Sequence, residues 1–192
     1  YFKEASFGQL SLEGKINQTE GDIYGWYTIP YNNTPCDPQS WAQAAENAAA
    51  VYGFNSAGYD NVVYAFPKTE ASGKCQKAAG WSTQGGSLPG KVWLNGGYNY
   101  SLLSHELGHN YGIYHASAYD CLNATGQRVT ISNNCTWQEY GDPFDIMALK
   151  PYHTNNFNKG RLNWYTPSNT QTVTTSGTYS ISPIEKVSGG TQ

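Results

Sequence analysis

Charge is scarce in this chain. Asp, Glu, Lys and Arg make up 13 % of its 192 residues, about half the roughly 25 % of an ordinary globular domain. The net charge of −3 provides no basic footprint for nucleic acid or an anionic membrane surface. No apolar run approaches the roughly 20 residues that span a bilayer, which argues against membrane insertion. An initiator methionine and a signal peptide are both lacking, and a start at Tyr1 is what a processed chain would show. There is no CxxC pair, no internal repeat and no low-complexity linker, so a cysteine-built zinc site and a repeat array have little to rest on. Methionine occurs once, as Met147.

The most informative residues are concentrated between 105 and 115, which read His105-Glu106-Leu107-Gly108-His109-Asn110-Tyr111-Gly112-Ile113-Tyr114-His115. On an α-helix His105 and His109 stand one turn apart on the same face and can share one metal ion. Glu106 points about 100° round from His105, which suits a base beside the metal better than a ligand. His115 cannot join by continuing the helix. Six more residues would carry it roughly 9 Å beyond His109, whereas a Zn–N bond is about 2.0–2.1 Å. The chain must turn back, and Gly112 stands where the turn is needed, free of the Cβ penalty on left-handed backbone.

The pattern HExxHxxGxxH resembles the signature of metzincin metallopeptidases, whose second hallmark is a methionine turn downstream. Met147 lies in Tyr140-Gly141-Asp142-Pro143-Phe144-Asp145-Ile146-Met147-Ala148, and its physical part would be a hydrophobic floor under the ligands. Ser104, Asn110, the segment just quoted and Asn156-Phe157-Asn158-Lys159-Gly160-Arg161-Leu162-Asn163-Trp164 make the chain similar to the gametolysin-type branch. The likeness is specific over about residues 90–165 and looser over 1–89, where Ser6-Phe7-Gly8-Gln9-Leu10 fits the branch.

The resemblance implies a secreted zinc endopeptidase acting on extracellular or cell-wall proteins and glycoproteins, monomeric and freed from a pro-segment. It implies an α+β metzincin-like fold in one catalytic domain, 1–192, with a twisted, mostly parallel sheet and an active-site helix. An N-terminal subdomain would span about 1–111 and a loop-rich C-terminal subdomain about 112–166. Residues 167–192 would then form a C-terminal β extension or begin a further β module.

Four cysteines, Cys36, Cys75, Cys121 and Cys135, allow three disulfide connectivities. Cys36–Cys75 with Cys121–Cys135 is favoured, because each pair would staple one side of the metal site. Disulfides also fit a secreted protein.

Residues 2–12 and 23–29 read as early strands. Asp37 caps a helix with Pro38 in its first turn, an alanine-rich body follows, and Gly53 marks a stop. Asn61–Phe66 reads as a buried strand ended by Pro67, and Lys91–Asn95, between Gly85-Gly86 and Gly96-Gly97, as a short strand near a sheet edge. The motif helix should run from near Asn99 to about Tyr111. Residues 172–182 read as a β-hairpin and Gly189-Gly190 as a flexible tail.

Three neutral imidazoles leave Zn²⁺ its full charge and an open position, so the ion lowers the pKa of a bound water to about 7. Glu106 would take that water's proton and pass it to the leaving amine. Two alternatives come from other classes: a zinc-bearing binding module without turnover, and an amidase acting on the wall. In metzincins the extended substrate lies along an edge strand, which maps here to Lys91–Asn95. Tyr152 and His153 follow the methionine and are candidates for a transition-state or subsite role, since Leu149 stands where several metzincins have a tyrosine. Asp120, Asp142 and Asp145 carry carboxylates of the kind calcium takes, although loop carboxylates are more often solvated or capping. Sequons at Asn17, Asn32, Asn99, Asn123 and Asn134 arise readily in so Asn- and Thr-rich a chain.

Overall fold

A computed structural model describes residues 1–32, 35–69, 74–86 and 88–186. The expected tail at Gly189-Gly190, and Asn33-Thr34 of the second sequon, lie outside them. The elements in chain order are helices α1 (Phe2–Ala5) and α2 (Pro38–Ala50), strand β1 (Asn61–Phe66), helix α3 (Lys74–Lys77), strands β2 (Gly80–Ser82) and β3 (Gly90–Asn95), helix α4 (Tyr100–Asn110), strands β4 (Ala118–Cys121) and β5 (Cys135–Gln138), and helix α5 (Asn156–Arg161). The fold is mixed α+β with small sheets. The chain separates into two compact units, one of Ser11–Gly112 and one of Tyr1–Leu10 with Ile113–Gln192.

In the first unit the strands run in the order β1-β3-β2. β1 pairs with β3 in parallel from Asn61↔Gly90 to Phe66↔Asn95, and β2 pairs with β3 antiparallel from Gly80↔Leu94 to Ser82↔Val92. The sheet is therefore mixed rather than mostly parallel. β3 is also its centre and not an edge. Val92, Trp93, Leu94 and Asn95 are all buried, the burial of a strand covered on both faces. Gly86 and Gly96 beside it take left-handed backbone, φ +92° and +73°, and so bend the chain instead of marking an edge.

Helix α2 forms as its sequence dictates. Asp37 accepts from the Ser40 backbone N–H at 3.2 Å, Pro38 fills the first turn, and Gly53 takes φ +87° just beyond the end. Ala42 of this helix packs with Val62, Tyr64 and Trp93, and Trp93 Nε1 donates to the Pro38 carbonyl at 3.0 Å. Each large apolar side chain so buried contributes roughly 1.5–3 kcal/mol. Cys36 and Cys75 are disulfide-bonded beside Trp41.

Residues 23–29 form no strand. Gly25 has φ +117°, which breaks an extended run, and the aromatics pair across loops: Tyr24 with Phe54 at 5.0 Å and Tyr27 stacked on Tyr52 at 5.6 Å.

In the second unit, residues 2–5 are helical, with Phe2 and Ala5 buried three positions apart on one face, so the expected strand over 2–12 is absent. β4 and β5 form an antiparallel pair in which Cys121 faces Cys135, and these two are joined as the second disulfide. The hairpin expected over 172–182 is not formed. Val173 and Ile181 remain exposed there, and Tyr179 bonds locally to the Thr175 carbonyl at 2.7 Å, so no apolar face drives pairing. No helix among the described residues is long and apolar enough to cross a membrane. Two disulfides indicate an oxidising compartment.

Candidate metal centre

Helix α4 carries the motif as expected. Asn99 caps it by accepting from Leu102 N at 2.9 Å, and Tyr111 closes it. Gly112 follows with φ +90°, the left-handed conformation that turns the chain back toward His115. The far end of the helix is fixed by Asn110, whose amide donates to the Thr83 carbonyl at 2.7 Å and accepts from Asn61 at 3.1 Å.

His105 and His109 are buried with ring centroids 4.9 Å apart, and His115 is half-buried. One ligand nitrogen from each lies within 4.8 Å of the others. Three such donors could hold one metal ion. Among the described residues no other group of three His, Cys, Asp or Glu is so arranged. A three-imidazole set suits a transition metal such as zinc.

His115 is oriented by two neighbours that the sequence did not single out. Its Nδ1 lies 2.6 Å from Glu139 Oε1. A carboxylate accepts, so the proton belongs on Nδ1 and Nε2 is left as the electron-pair donor. Tyr140 Oη lies 2.9 Å from that Nε2, and its ring packs on the imidazole at 4.0 Å. The only signal for either residue was position. The Cys121–Cys135 bridge holds β5, and Glu139 and Tyr140 follow β5 directly.

Glu106 is 5 % exposed. Burial pushes its pKa up to about 7, against the pull of the Ser82 hydroxyl, which donates to Oε2 at 3.0 Å. Gly80 lets β2 come this close: a Cβ on it would lie 3.1 Å from Glu106 Oε1 and 3.2 Å from its Cγ.

Met147 is fully buried with Ile113, Ala116, Ile146 and Ala148, and Ala116 N donates to the Met147 carbonyl at 3.1 Å. It thus packs with the residues on either side of His115. Asp145 accepts from Met147 N at 2.6 Å, Asn155 N at 2.6 Å and Asn158 Nδ2 at 3.2 Å, while Asp142 accepts from Phe144 N and Asn155 Nδ2. These are capping roles. Tyr152 is largely exposed. His153 Nε2 lies 3.1 Å from Glu4, its ring is 6.3 Å from that of Tyr1, and its Nδ1 is buried with no hydrogen-bond partner among the described residues.

No family model matches the chain, and no curated protein or solved structure matches it significantly.

Proposed function

We propose that this chain is a secreted zinc endopeptidase of metzincin type, hydrolysing peptide bonds of extracellular or cell-wall proteins. The observation that carries the reading is the convergence of His105, His109 and His115 on one point, with a buried carboxyl one residue along the same helix. Zinc held there would supply a Lewis acid that polarises a carbonyl and activates water.

The chain's own residues supply the rest. Glu106 sits in an apolar setting that brings its pKa to about 7, in the range where a group both takes up and returns a proton at neutral pH. A divalent cation beside it would favour its ionised, proton-accepting form. Ser82 holds one oxygen of that carboxyl in place. Glu139 fixes the His115 tautomer with its proton on Nδ1. For an extended substrate, the strand edge in play is β2 rather than β3, because β3 is paired on both sides and β2 carries Ser82 next to Glu106.

The test is metal content with cleavage of an unstructured protein. One zinc per chain, activity lost to a chelator and restored by zinc, and a Glu106→Gln variant that keeps the metal and loses turnover are the expected results. Full turnover by metal-free protein would sink the reading. Zinc without cleavage of any polypeptide would leave a binding module or a wall amidase.

A further inference from the structure

Two partners of His115 hang from a small piece of sheet. Glu139 and Tyr140 contact the imidazole and follow directly on β5, which among the described residues pairs with β4 alone, from Ala118↔Gln138 to Cys121↔Cys135. Tyr119 and Trp137, opposite each other in this pair, are 62 % and 55 % exposed, and residues 122–134 between the strands are all exposed. Two short strands with so little burial are marginal by themselves in water. Closing the long connection between them adds an entropic cost.

The covalent link offsets that cost. Cys121 and Cys135 are joined at the end of the pair away from His115, which removes freedom from the open loop. The near end leads to the imidazole through a tight turn. Tyr140 takes φ +59°, Gly141 N donates to the Gln138 carbonyl at 3.1 Å, and a Cβ on Gly141 would lie 2.9 Å from Ala118 N. Asp142 N donates at 3.3 Å to the carbonyl of Ala116, the residue after His115. All of these residues belong to one compact unit, so a shift of β5 is carried to His115.

We infer that the Cys121–Cys135 bond is a redox gate on His115: closed, it presents Glu139 and Tyr140 to the imidazole, and opened by a dithiol it lets them go. In the opening step a thiolate of the dithiol attacks Sγ of Cys135, the partly exposed partner, and the S–S bond breaks with Cys121 leaving as thiolate. The second thiol of the reductant then displaces Cys135. Two protons pass from the dithiol to the two cysteines, and the reductant ends as its own disulfide. The consequence rests on the metal reading of the three histidines. A ligand histidine without its carboxylate partner binds metal about 10–100-fold more weakly, so the site is complete only where the bond is oxidised.

The experiment has two arms on the full chain. Dithiothreitol followed by N-ethylmaleimide, read by mass spectrometry, should open Cys121–Cys135 in the folded protein, and a bond that stays closed until the chain unfolds would overturn the gate. In the second arm the wild type and Cys121→Ser/Cys135→Ser are compared, each with and without Glu139→Ala. Zinc affinity is read by competition with a chromophoric chelator, and the His115 Nδ1–H signal by NMR of the metal-free protein. The serine pair should lose that signal and about 10–100-fold in affinity. Adding Glu139→Ala to it should cost little more, because the partner is already displaced. Unchanged affinity and signal in the serine pair would sink the inference. A full further loss on adding Glu139→Ala would do the same, since it would show Glu139 still in place or the effect to be unfolding. No zinc binding by the wild type, with the Nδ1–H signal lost in the serine pair, would keep the gate and defeat the metal reading.

Discussion

Glu139 and His115 are joined at 2.6 Å through Oε1 and Nδ1, although 24 residues separate them and the Glu139 side chain is about half exposed. A hydrogen bond this exposed contributes little to stability, about 1 kcal/mol or less. Its value lies in orientation, since it holds the tautomer and the ring plane of an imidazole that could serve as a metal ligand. Glu139→Ala should therefore lower metal affinity by about 10–100-fold, the usual cost of losing such a partner, with little change in unfolding midpoint. Competition against a chromophoric chelator measures it. An unchanged affinity would reduce Glu139 to a surface contact.

Gly80 of β2 faces the Glu106 carboxyl. Adding a methyl group would place a Cβ 3.1 Å from Oε1 and 3.2 Å from both Cγ and Leu102 Cδ1, tighter than ordinary contact, so the carboxyl must move by a few tenths of an ångström. Gly80→Ala is expected to reduce kcat by an order of magnitude or more, since small misplacements of a reacting group are costly, while zinc stoichiometry stays at one. Wild-type kcat in that variant would mean that the position of Glu106 is not critical.

The parts legible in sequence were those set by local rules. The four-residue spacing of His105 and His109, the helix start near Asn99, the turn at Gly112 and the Asp37–Pro38 start of α2 each depend on neighbours within a turn or two. The rest depended on distant partners. Glu139 and Tyr140 reach His115 only after the β4–β5 pair has formed, and no spacing rule encodes that. The run Val92-Trp93-Leu94 did carry the mark of a strand buried on both faces, but the flanking glycines suggested an edge. Residues 23–29 and 172–182 have strand-like composition, yet nothing pairs with them among the described residues. Ring stacking in the first segment and a local Tyr179 bond in the second take the place of a ladder.

Lys159 sets a pH dependence. It is fully buried, its Nζ donates to the Ile184 carbonyl at 2.8 Å and lies 4.1 Å from the Phe7 ring centroid. Burial lowers its pKa to about 8, with Glu185 and Glu4 pulling the other way. An unfolded lysine titrates near 10.4. Below pH 8 both states hold the proton. Between about 8 and 10.4 the unfolded chain holds more, so this group makes stability rise with pH. Relative to Lys159→Met, the wild type should gain about 1–3 kcal/mol from pH 7.5 to 10.5. Urea unfolding of the two proteins across that range reads the difference, and a constant gap would mean an unshifted lysine.

Tyr140 stands beside His115. Its hydroxyl stands 2.9 Å from Nε2 of His115, the nitrogen left for a metal once Glu139 engages Nδ1, so a phenolic donor lies at the edge of the proposed reaction centre. Tyr152 is largely exposed, and His153 is engaged with Glu4 and Tyr1. A donor aimed at developing oxyanion charge contributes about 10²–10³ in kcat. Tyr140→Phe keeps the ring stacked on His115 and removes only the hydroxyl, so kcat should fall by about 10²-fold with KM and zinc content held. His153→Ala and Tyr152→Phe should each cost less. The decisive comparison is kcat for the three variants at equal zinc occupancy. A normal kcat for Tyr140→Phe beside a large loss in His153→Ala would move the donor role to His153.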